Sequence, residues 1–365
     1  MEENMLYETL RFWNTVLKTH TASQDWNIDN EIILEKKQLL LRRFHRGDPS
    51  SPPILVVPPN AGHHSNIAER LLQTCIDATP ERSIYSIDWP GADSSNKGYG
   101  IEDMVCELQS CVEAVGNRVH LFTLCQGAWV SAIYASLFPR TVLSYTNGAG
   151  PIDFRAGNGK IKDYCSVMPD SFFKGLVQYN GGIQTGLNQV LGFKNLNPFE
   201  RWVSDYMNLW LDILSGEEKK IERWKRFKQW YEHTVDLDGK WYLEAVQELF
   251  KKNKLIKGEL EVLGKKVDLA NISCPVFLLA GERDDITPPK QVFNMADYVS
   301  GPTWKALIED AGHIGVFVKS ASLEYWKSII RQLDILENGL QANTRISDLS
   351  PEDYRLSPDL LYDVC

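Results

Sequence analysis

The sequence predicts an α/β fold with a mostly parallel central sheet, helices on both faces and an inserted helical lid. Two observations carry that prediction. Short apolar runs alternate with amphipathic stretches from residue 54 to about Pro151, and the alternation resumes near Cys274 after a gap of roughly 120 residues. Strands that are each followed by a helix must be joined by crossovers, which makes the sheet parallel and covers both of its faces.

Taken in order, Leu6, Leu10, Trp13 and Leu17 fall at helical spacing and predict an amphipathic opening helix over 5–17. Residues 31–44 mix Ile and Leu with charge and read as one long strand or a hairpin. Residues 54–57 form a short buried strand stopped by Pro58 and Pro59, with a helix over 66–76. The next strand, 83–87, is broken by Asp88-Trp89-Pro90-Gly91. Ile101, Met104, Val105, Leu108 and Val112 mark a helix, followed by a strand at 118–124, a helix at 126–137 and a strand at 142–145.

Beyond the gap, 275–280 is a strand, 289–299 a helix, 304–308 a strand and 322–333 a closing helix. The gap reads mainly as helix and holds Trp202, Trp210, Trp224, Trp230 and Trp241. Most of these rings belong to a core, with one or two facing an apolar acyl tunnel. The expected division is a helix and edge strands over 1–50 and a first core part over 51–153. A lid over 154–273, a second core part over 274–335 and a polar tail over 336–365 complete it.

Composition excludes several classes. A chain of 365 residues with 43% hydrophobic and 24% charged residues has ample material for a packed core and is not disordered. With 39 basic against 48 acidic residues it carries a net charge of -9, which argues against nucleic acid as a partner. Met1-Glu2-Glu3-Asn4-Met5 is acidic where a signal peptide is basic, and no apolar run approaches the roughly 20 residues a transmembrane helix needs. The expected location is therefore cytoplasmic. The seven cysteines are scattered without a Cys-x-x-Cys pair, so neither a disulfide framework nor a zinc site is expected.

One cysteine stands apart. The strand ending at Leu124 runs directly into Cys125-Gln126-Gly127-Ala128 and a helix, the context of a nucleophile elbow. Cys125 occupies the nucleophile position, and the helix N-terminus behind it favours the anionic sulfur, the reactive form. Gly127 permits close packing of helix on strand, while Thr123 stands where Gly-x-Ser-x-Gly has its first glycine. Taken alone, Cys125 reads more readily as a buried packing thiol than as a nucleophile.

The residues that follow favour the reactive reading. After the insertion one strand ends in Gly281-Glu282-Arg283-Asp284-Asp285 and the next in Asp310-Ala311-Gly312-His313. Nucleophile, acid and histidine in that order, each at a strand end, describe an α/β-hydrolase. His313 takes the thiol proton, and Asp284, with Asp285 as the alternative, orients the imidazole. The loop Pro58-Pro59-Asn60-Ala61-Gly62-His63-His64 falls where such enzymes carry the first oxyanion donor, so a backbone N–H of Asn60 or Ala61 is expected to act with that of Gln126. His63 is expected to line the substrate pocket. His63 and His64 lack a nearby acidic or thiol ligand, so no metal is expected, and the chemistry needs no cofactor. His120 and His233 are expected to be structural.

These residues together resemble the superfamily of polyhydroxyalkanoate synthases and intracellular polyhydroxyalkanoate depolymerases, α/β-hydrolases with a Cys-His-Asp triad. Val57-Pro58-Pro59-Asn60-Ala61-Gly62-His63 resembles the depolymerase oxyanion loop, and Ile87-Asp88-Trp89 the Thr-Asp-Trp of both branches. Leu124-Cys125-Gln126, Gly281-Glu282-Arg283-Asp284-Asp285-Ile286 and Gly312-His313-Ile314-Gly315-Val316-Phe317 are similar to depolymerase motifs. The region from Leu249 to Leu269 resembles both branches.

Gly127-Ala128 departs toward the synthases, whereas Asp285 stands where synthases carry a histidine. The resemblance implies a depolymerase acting on poly-3-hydroxybutyrate-type polyester through an acyl-enzyme, in the cytoplasm and on storage granules. The alternatives are a synthase-like acyltransferase using 3-hydroxyacyl-CoA, and a silent relative that binds granules or a partner. The chain is short enough to match synthase subunits that work with a partner, which leaves room for a homodimer or a second subunit.

Overall fold

The computed structural model describes residues 2–20, 25–60, 64–95 and 97–341. Helix α1 (Glu2–His20) opens the chain, and the strands β1 (Glu31–Glu35) and β2 (Leu40–His45) form an antiparallel hairpin. The segment at 31–44 is thus a hairpin rather than one strand. Then come β3 (Ile54–Val57), α2 (His64–Ala78), β4 (Ile84–Asp88), α3 (Ile101–Ala114), β5 (Val119–Leu124), α4 (Gln126–Leu137) and β6 (Val142–Gly148).

The insertion contributes α5 (Lys160–Val167), α6 (Asp170–Tyr179), β7 (Ile183–Gln184) and α7 (Gly186–Leu196). It continues with α8 (Asp205–Leu214), α9 (Glu218–Tyr231), β8 (Leu237–Asp238) and α10 (Gly239–Glu244), and then the short hairpin β9 (Glu261–Val262) and β10 (Lys265–Lys266). The chain returns to the sheet through β11 (Val276–Gly281), α11 (Pro289–Phe293), β12 (Thr303–Ile308), α12 (Gly315–Val318), α13 (Ser320–Ile330) and α14 (Leu333–Gln341).

The main sheet has the order β1-β2-β4-β3-β5-β6-β11-β12, antiparallel through β1 and β2 and parallel from β4 onward. This is the α/β-hydrolase arrangement. Its strands are apolar along their whole length because both faces are covered. Leu55, Val57 and Leu121 pack against α3 and α4, while Ile54, Val56 and Phe122 belong to the opposite core with α2 and Trp326 of α13. The strand order reverses between β3 and β5: from β3 the chain moves outward to β4, then returns past β3 to β5. In open α/β sheets, ligands bind at the carboxyl ends of the strands beside such a reversal.

Three regions differ from the sequence expectations. Helix α1 forms, but Leu6, Leu10, Trp13 and Leu17, whose spacing predicts it, are exposed, and it packs on α8 and α9 through Phe12 and Val16 against Leu209, Ile213 and Ile221. The helix expected over 289–299 is α-helical only to Phe293 and tightens to a 3₁₀ turn at Asn294–Asp297, where the Asn294 side-chain amide is drawn to Asp153 Oδ2 at 2.8 Å. The first residues of the segment expected as a polar tail, 336–341, are helical. Helix α14 continues to Gln341 because Leu333 and Leu336 are buried and Glu337 binds inward, to His120 Nε2 (2.7 Å) and Arg82 Nη1 (2.5 Å). Residues 342–365 lie outside the described residues.

Candidate active site

Cys125 links the end of β5 to the first turn of α4 with φ 51° and ψ -117°, a left-handed backbone that a non-glycine residue adopts only when its surroundings impose it. Those surroundings are identifiable. Its N–H donates to Gly148 O on the adjacent β6 (2.9 Å), and its carbonyl accepts from Ala128 N (3.0 Å). Two glycines allow the elbow to close. A Cβ on Gly127 would lie 2.0 Å from Val57 O, and one on Gly150 would lie 2.1 Å from the Ala128 Cβ. The Tyr145 hydroxyl donates to Ala128 O (2.8 Å), pinning the first turn of α4 to the sheet. The elbow therefore forms without the first glycine of the usual pattern. Thr123 instead turns its hydroxyl to Thr146 O on β6 (2.6 Å).

Asp284 and His313 come from the loops after β11 and β12. Asp284 Oδ2 lies 2.7 Å from His313 Nδ1, and its Oδ1 accepts from the backbone N–H groups of Ile286 (3.0 Å) and Thr287 (2.9 Å). Both carboxylate oxygens are thus held, and the group is buried. Asp285, its neighbour, is half exposed and pairs with Lys160 Nζ at 2.5 Å. Of the two acids, the structure sets Asp284 against the histidine.

The His313 ring is buried, edge-on to Phe317, and within hydrogen-bonding reach of Cys125. Burial alone pushes its affinity for a proton down. The Asp284 carboxylate and the Cys125 sulfur outweigh that and hold it well above its ordinary value of 6.5. The structure thus brings Cys125, His313 and Asp284 together. Burial pushes the thiols of Cys75, Cys111, Cys165 and Cys274 up, so they remain protonated and inert. Cys125 is half-buried, and Cys106 is exposed on α3 beside Glu102, Asp103 and Glu107.

Gln126 is the first residue of α4, and the contact of Gly127 with the Val57 and Pro58 carbonyls brings that end of the helix against the loop that carries Asn60. Asn60 is half-buried, and its side-chain Oδ1 is buried without a partner. Ala61 and His63, the other expected members of this loop, lie outside the described residues. Trp89 has a role here that local pattern does not reveal: it is buried, and its indole N–H donates to Pro58 O (2.9 Å), fixing the start of the loop. The Asp88 before it is held by Arg42 Nε at 2.7 Å.

Beyond Gln126 opens a mostly apolar cavity of about 140 Å³, walled by helices of the insertion and bordered by Trp241. Of the five insertion tryptophans, Trp241 is buried at this cavity, Trp224 is half-buried near α1, and Trp202 is largely exposed beneath Lys194. Among the described residues no group of His, Cys, Asp and Glu is placed to hold a metal ion, and no helix is long and apolar enough to cross a membrane. His120 is fully buried between Ser144 and Glu337, and His233 Nδ1 meets Gln229 O at 2.7 Å.

Comparison with known proteins gives three results. Residues 149–334 match the family model described as PHB de-polymerase C-terminus. The chain is 27% identical over 264 residues to the poly(3-hydroxyalkanoate) polymerase subunit PhaC of Haloferax mediterranei, covering 68% of this chain and 53% of that protein. It is 27% identical over 345 residues to the PhaC subunit of a Synechocystis species, covering 87% of this chain and 89% of that one. The chain thus spans about half the length of the first relative and nearly nine-tenths of the second. Among solved structures, a monoacylglycerol lipase from Paleococcus ferrophilus shares the fold with a TM-score of 0.55 at 18% identity, over 81% of this chain and 99% of that one.

Proposed function

Because the chain belongs to the PHB de-polymerase C-terminus family, we propose that it is an acyl-transfer enzyme of polyhydroxyalkanoate metabolism, with Cys125 as nucleophile, His313 as acid and base, and Asp284 as the group orienting His313. The observation that carries this reading is the constellation itself: a cysteine on a strained elbow beside a buried His313–Asp284 pair at 2.7 Å, next to an apolar cavity. A packing cysteine has no need of any of these neighbours.

In the forward reaction the Cys125 sulfur attacks a 3-hydroxyacyl thioester carbonyl, and its proton passes to His313 Nε2. The tetrahedral oxygen is met by backbone N–H groups of Gln126 and the Asn60 loop, each such donor being worth about 3 kcal/mol in related chemistry. The thiol of coenzyme A leaves with the proton from His313, and an acyl group remains on Cys125. A chain-end hydroxyl then attacks, gives its proton to His313, and the Cys125 sulfur departs. Asp284 balances the imidazolium in both halves and keeps Nδ1–H oriented.

The polymerase direction is preferred because the relatives that span most of this chain are named polymerase subunits. Hydrolysis by the same triad, with water replacing the hydroxyl, is the second reading. It is favoured by Asp285, which stands where synthases carry a histidine and is tied to Lys160 of α5. Either activity is consistent with a cytoplasmic protein working at a polyester granule. The test is to supply the pure protein separately with 3-hydroxybutyryl-CoA and with native granules. Release of CoA with polymer growth is expected, whereas release of hydroxyacid from granules without CoA turnover would reverse the choice.

A further inference from the structure

Cys125 shares its left-handed backbone with a neighbour. Ala149, in the turn that ends β6, has φ 50° and is fully buried. Glycine takes this conformation freely, whereas alanine holds it only where the surroundings impose it. In Asn147-Gly148-Ala149-Gly150, glycine flanks the strained position on both sides and does not occupy it.

This turn touches what supports each member of the triad. Gly148 O accepts the Cys125 N–H, and a Cβ on Gly150 would lie 2.6 Å from the Cys125 carbonyl oxygen. Ala149 N–H donates at 2.8 Å to Leu279 O of β11, the strand that leads to Asp284. A Cβ on Gly148 would lie 3.0 Å from the ring of Phe317, which stands edge-on to His313.

One side chain closes the turn. The Asn147 carboxamide is fully buried, with Oδ1 accepting from Gly150 N–H (2.8 Å) and Nδ2 donating to Gly150 O (3.0 Å). Gly150 is itself buried, so without the carboxamide both of its peptide groups must find other partners and the turn must move to reach them.

We propose that Asn147 is a positioning residue for Cys125: its carboxamide holds the 147–150 turn, and through Gly148 O the turn fixes where the Cys125 sulfur meets His313. The inference rests on the acyl-transfer reading of Cys125 and adds a residue that acts through the elbow without touching substrate. Asn147 does not line the apolar cavity, so its loss falls on kcat rather than on KM. A displacement of about 1 Å at the reacting atoms costs about a hundredfold in rate.

Asn147→Asp in the full-length protein gives a graded test. Its ionised carboxylate accepts from Gly150 N–H but opposes Gly150 O without a proton, whereas its protonated form both accepts and donates as the amide does. Burial raises the pKa of such a carboxyl, which brings the protonated form into reach of mildly acidic buffer. Relative to wild type, kcat is expected to be about a hundredfold lower at pH 8.5 and to recover to within about tenfold at pH 6, with KM within about threefold throughout. Asn147→Ser keeps one bond at a time and should lower kcat about tenfold at every pH. Alkylation of Cys125 by iodoacetamide, read by peptide mapping, reports on the sulfur without substrate. In both variants the pH at which Cys125 becomes reactive should rise, because a displaced sulfur loses the imidazolium beside it.

A residue that only stabilises the fold would lower the melting temperature of Asn147→Asp while leaving its kcat and alkylation profiles parallel to wild type, and that result overturns the proposal. So does a loss carried by KM. Should Asn147→Asp not fold, Asn147→Ser decides: kcat and alkylation coincident with wild type refute the proposal, and a lowered kcat with shifted alkylation supports it. Intact-mass detection of acyl-Cys125 in the wild-type protein reports on the acyl-transfer reading alone, and alkylation needs no acyl group, so the two can fail separately.

Discussion

A Cβ at Gly127 would lie 2.0 Å from the carbonyl oxygen of Val57, so the first turn of α4 rests directly on the end of β3. The nucleophile and the oxyanion loop are thereby set by one contact, because Val57 leads into Pro58 and Asn60 while Gly127 follows Cys125 and Gln126. Gly127→Ala must push α4 off the strand, and backbone is on the receiving side. Overpacking of this kind costs about 1–3 kcal/mol of stability. The expected outcome is a folded but less stable protein with turnover reduced about a hundredfold, checked by urea denaturation and CoA release. Near-normal turnover would mean that the elbow tolerates the shift.

The adjacent acids should behave differently. Asp284→Asn leaves the shape of the pair but removes the charge that fixes the His313 tautomer, and the equivalent loss in a serine protease costs about 10⁴ in kcat. Asp285→Asn loses only a half-exposed ion pair with Lys160, of a kind worth about 0–1 kcal/mol. Its kcat should stay within about threefold of wild type. Steady-state rates of the two variants on the same substrate check this.

The proton held by His313 predicts a pH dependence of stability. Its folded-state pKa is raised above the ordinary 6.5, so its stabilising contribution is fully present below 6.5 and is lost as pH rises through the folded value. Unfolding free energy of the wild type should therefore fall as pH is taken from 6 to 9. In His313→Gln that part of the fall should be missing. Urea midpoints at four pH values measure it, and parallel profiles for the two proteins would contradict the assignment.

A second cluster bears on stability alone. Arg82 is buried with its guanidinium on Glu337, Asp334 and the Pro52 carbonyl, and Glu337 also holds His120 at the start of β5. Burial raises the Glu337 carboxyl, but its bonds to His120 and Arg82 outweigh this and hold it below its ordinary range. Glu337→Ala takes one bond from each of two buried groups, Arg82 keeping Asp334 and the Pro52 carbonyl and His120 keeping Ser144, and should cost about 1–3 kcal/mol, visible as a lowered melting temperature. His120 precedes Cys125 by five residues, roughly 16 Å along the strand, so turnover of the folded variant should be unchanged.

What the sequence discloses and what it conceals follow the range of the interactions. Val56 and Phe122 announce their strands because a strand buried on both faces is apolar throughout, and Cys125 announces itself by sitting between such a strand and a helix. Asp284 and Asp285 are chemically identical neighbours, and only the fold sets one against His313 and the other against Lys160. The docking of α1 on α8 and α9 depends on Phe12 and Val16 meeting residues about 200 positions away, which no local pattern encodes. Glu337 reads as a solvated tail residue until Arg82 and His120 are seen beside it.

The most direct measurement is intact-protein mass spectrometry after brief mixing of the protein with 3-hydroxybutyryl-CoA, followed by peptide mapping. The account predicts a 3-hydroxybutyryl adduct on the peptide containing Cys125, formed as CoA is released, absent in Cys125→Ala and strongly slowed in His313→Gln. CoA release that proceeds at the wild-type rate in Cys125→Ala, or an adduct that maps to Cys106 instead, would contradict it.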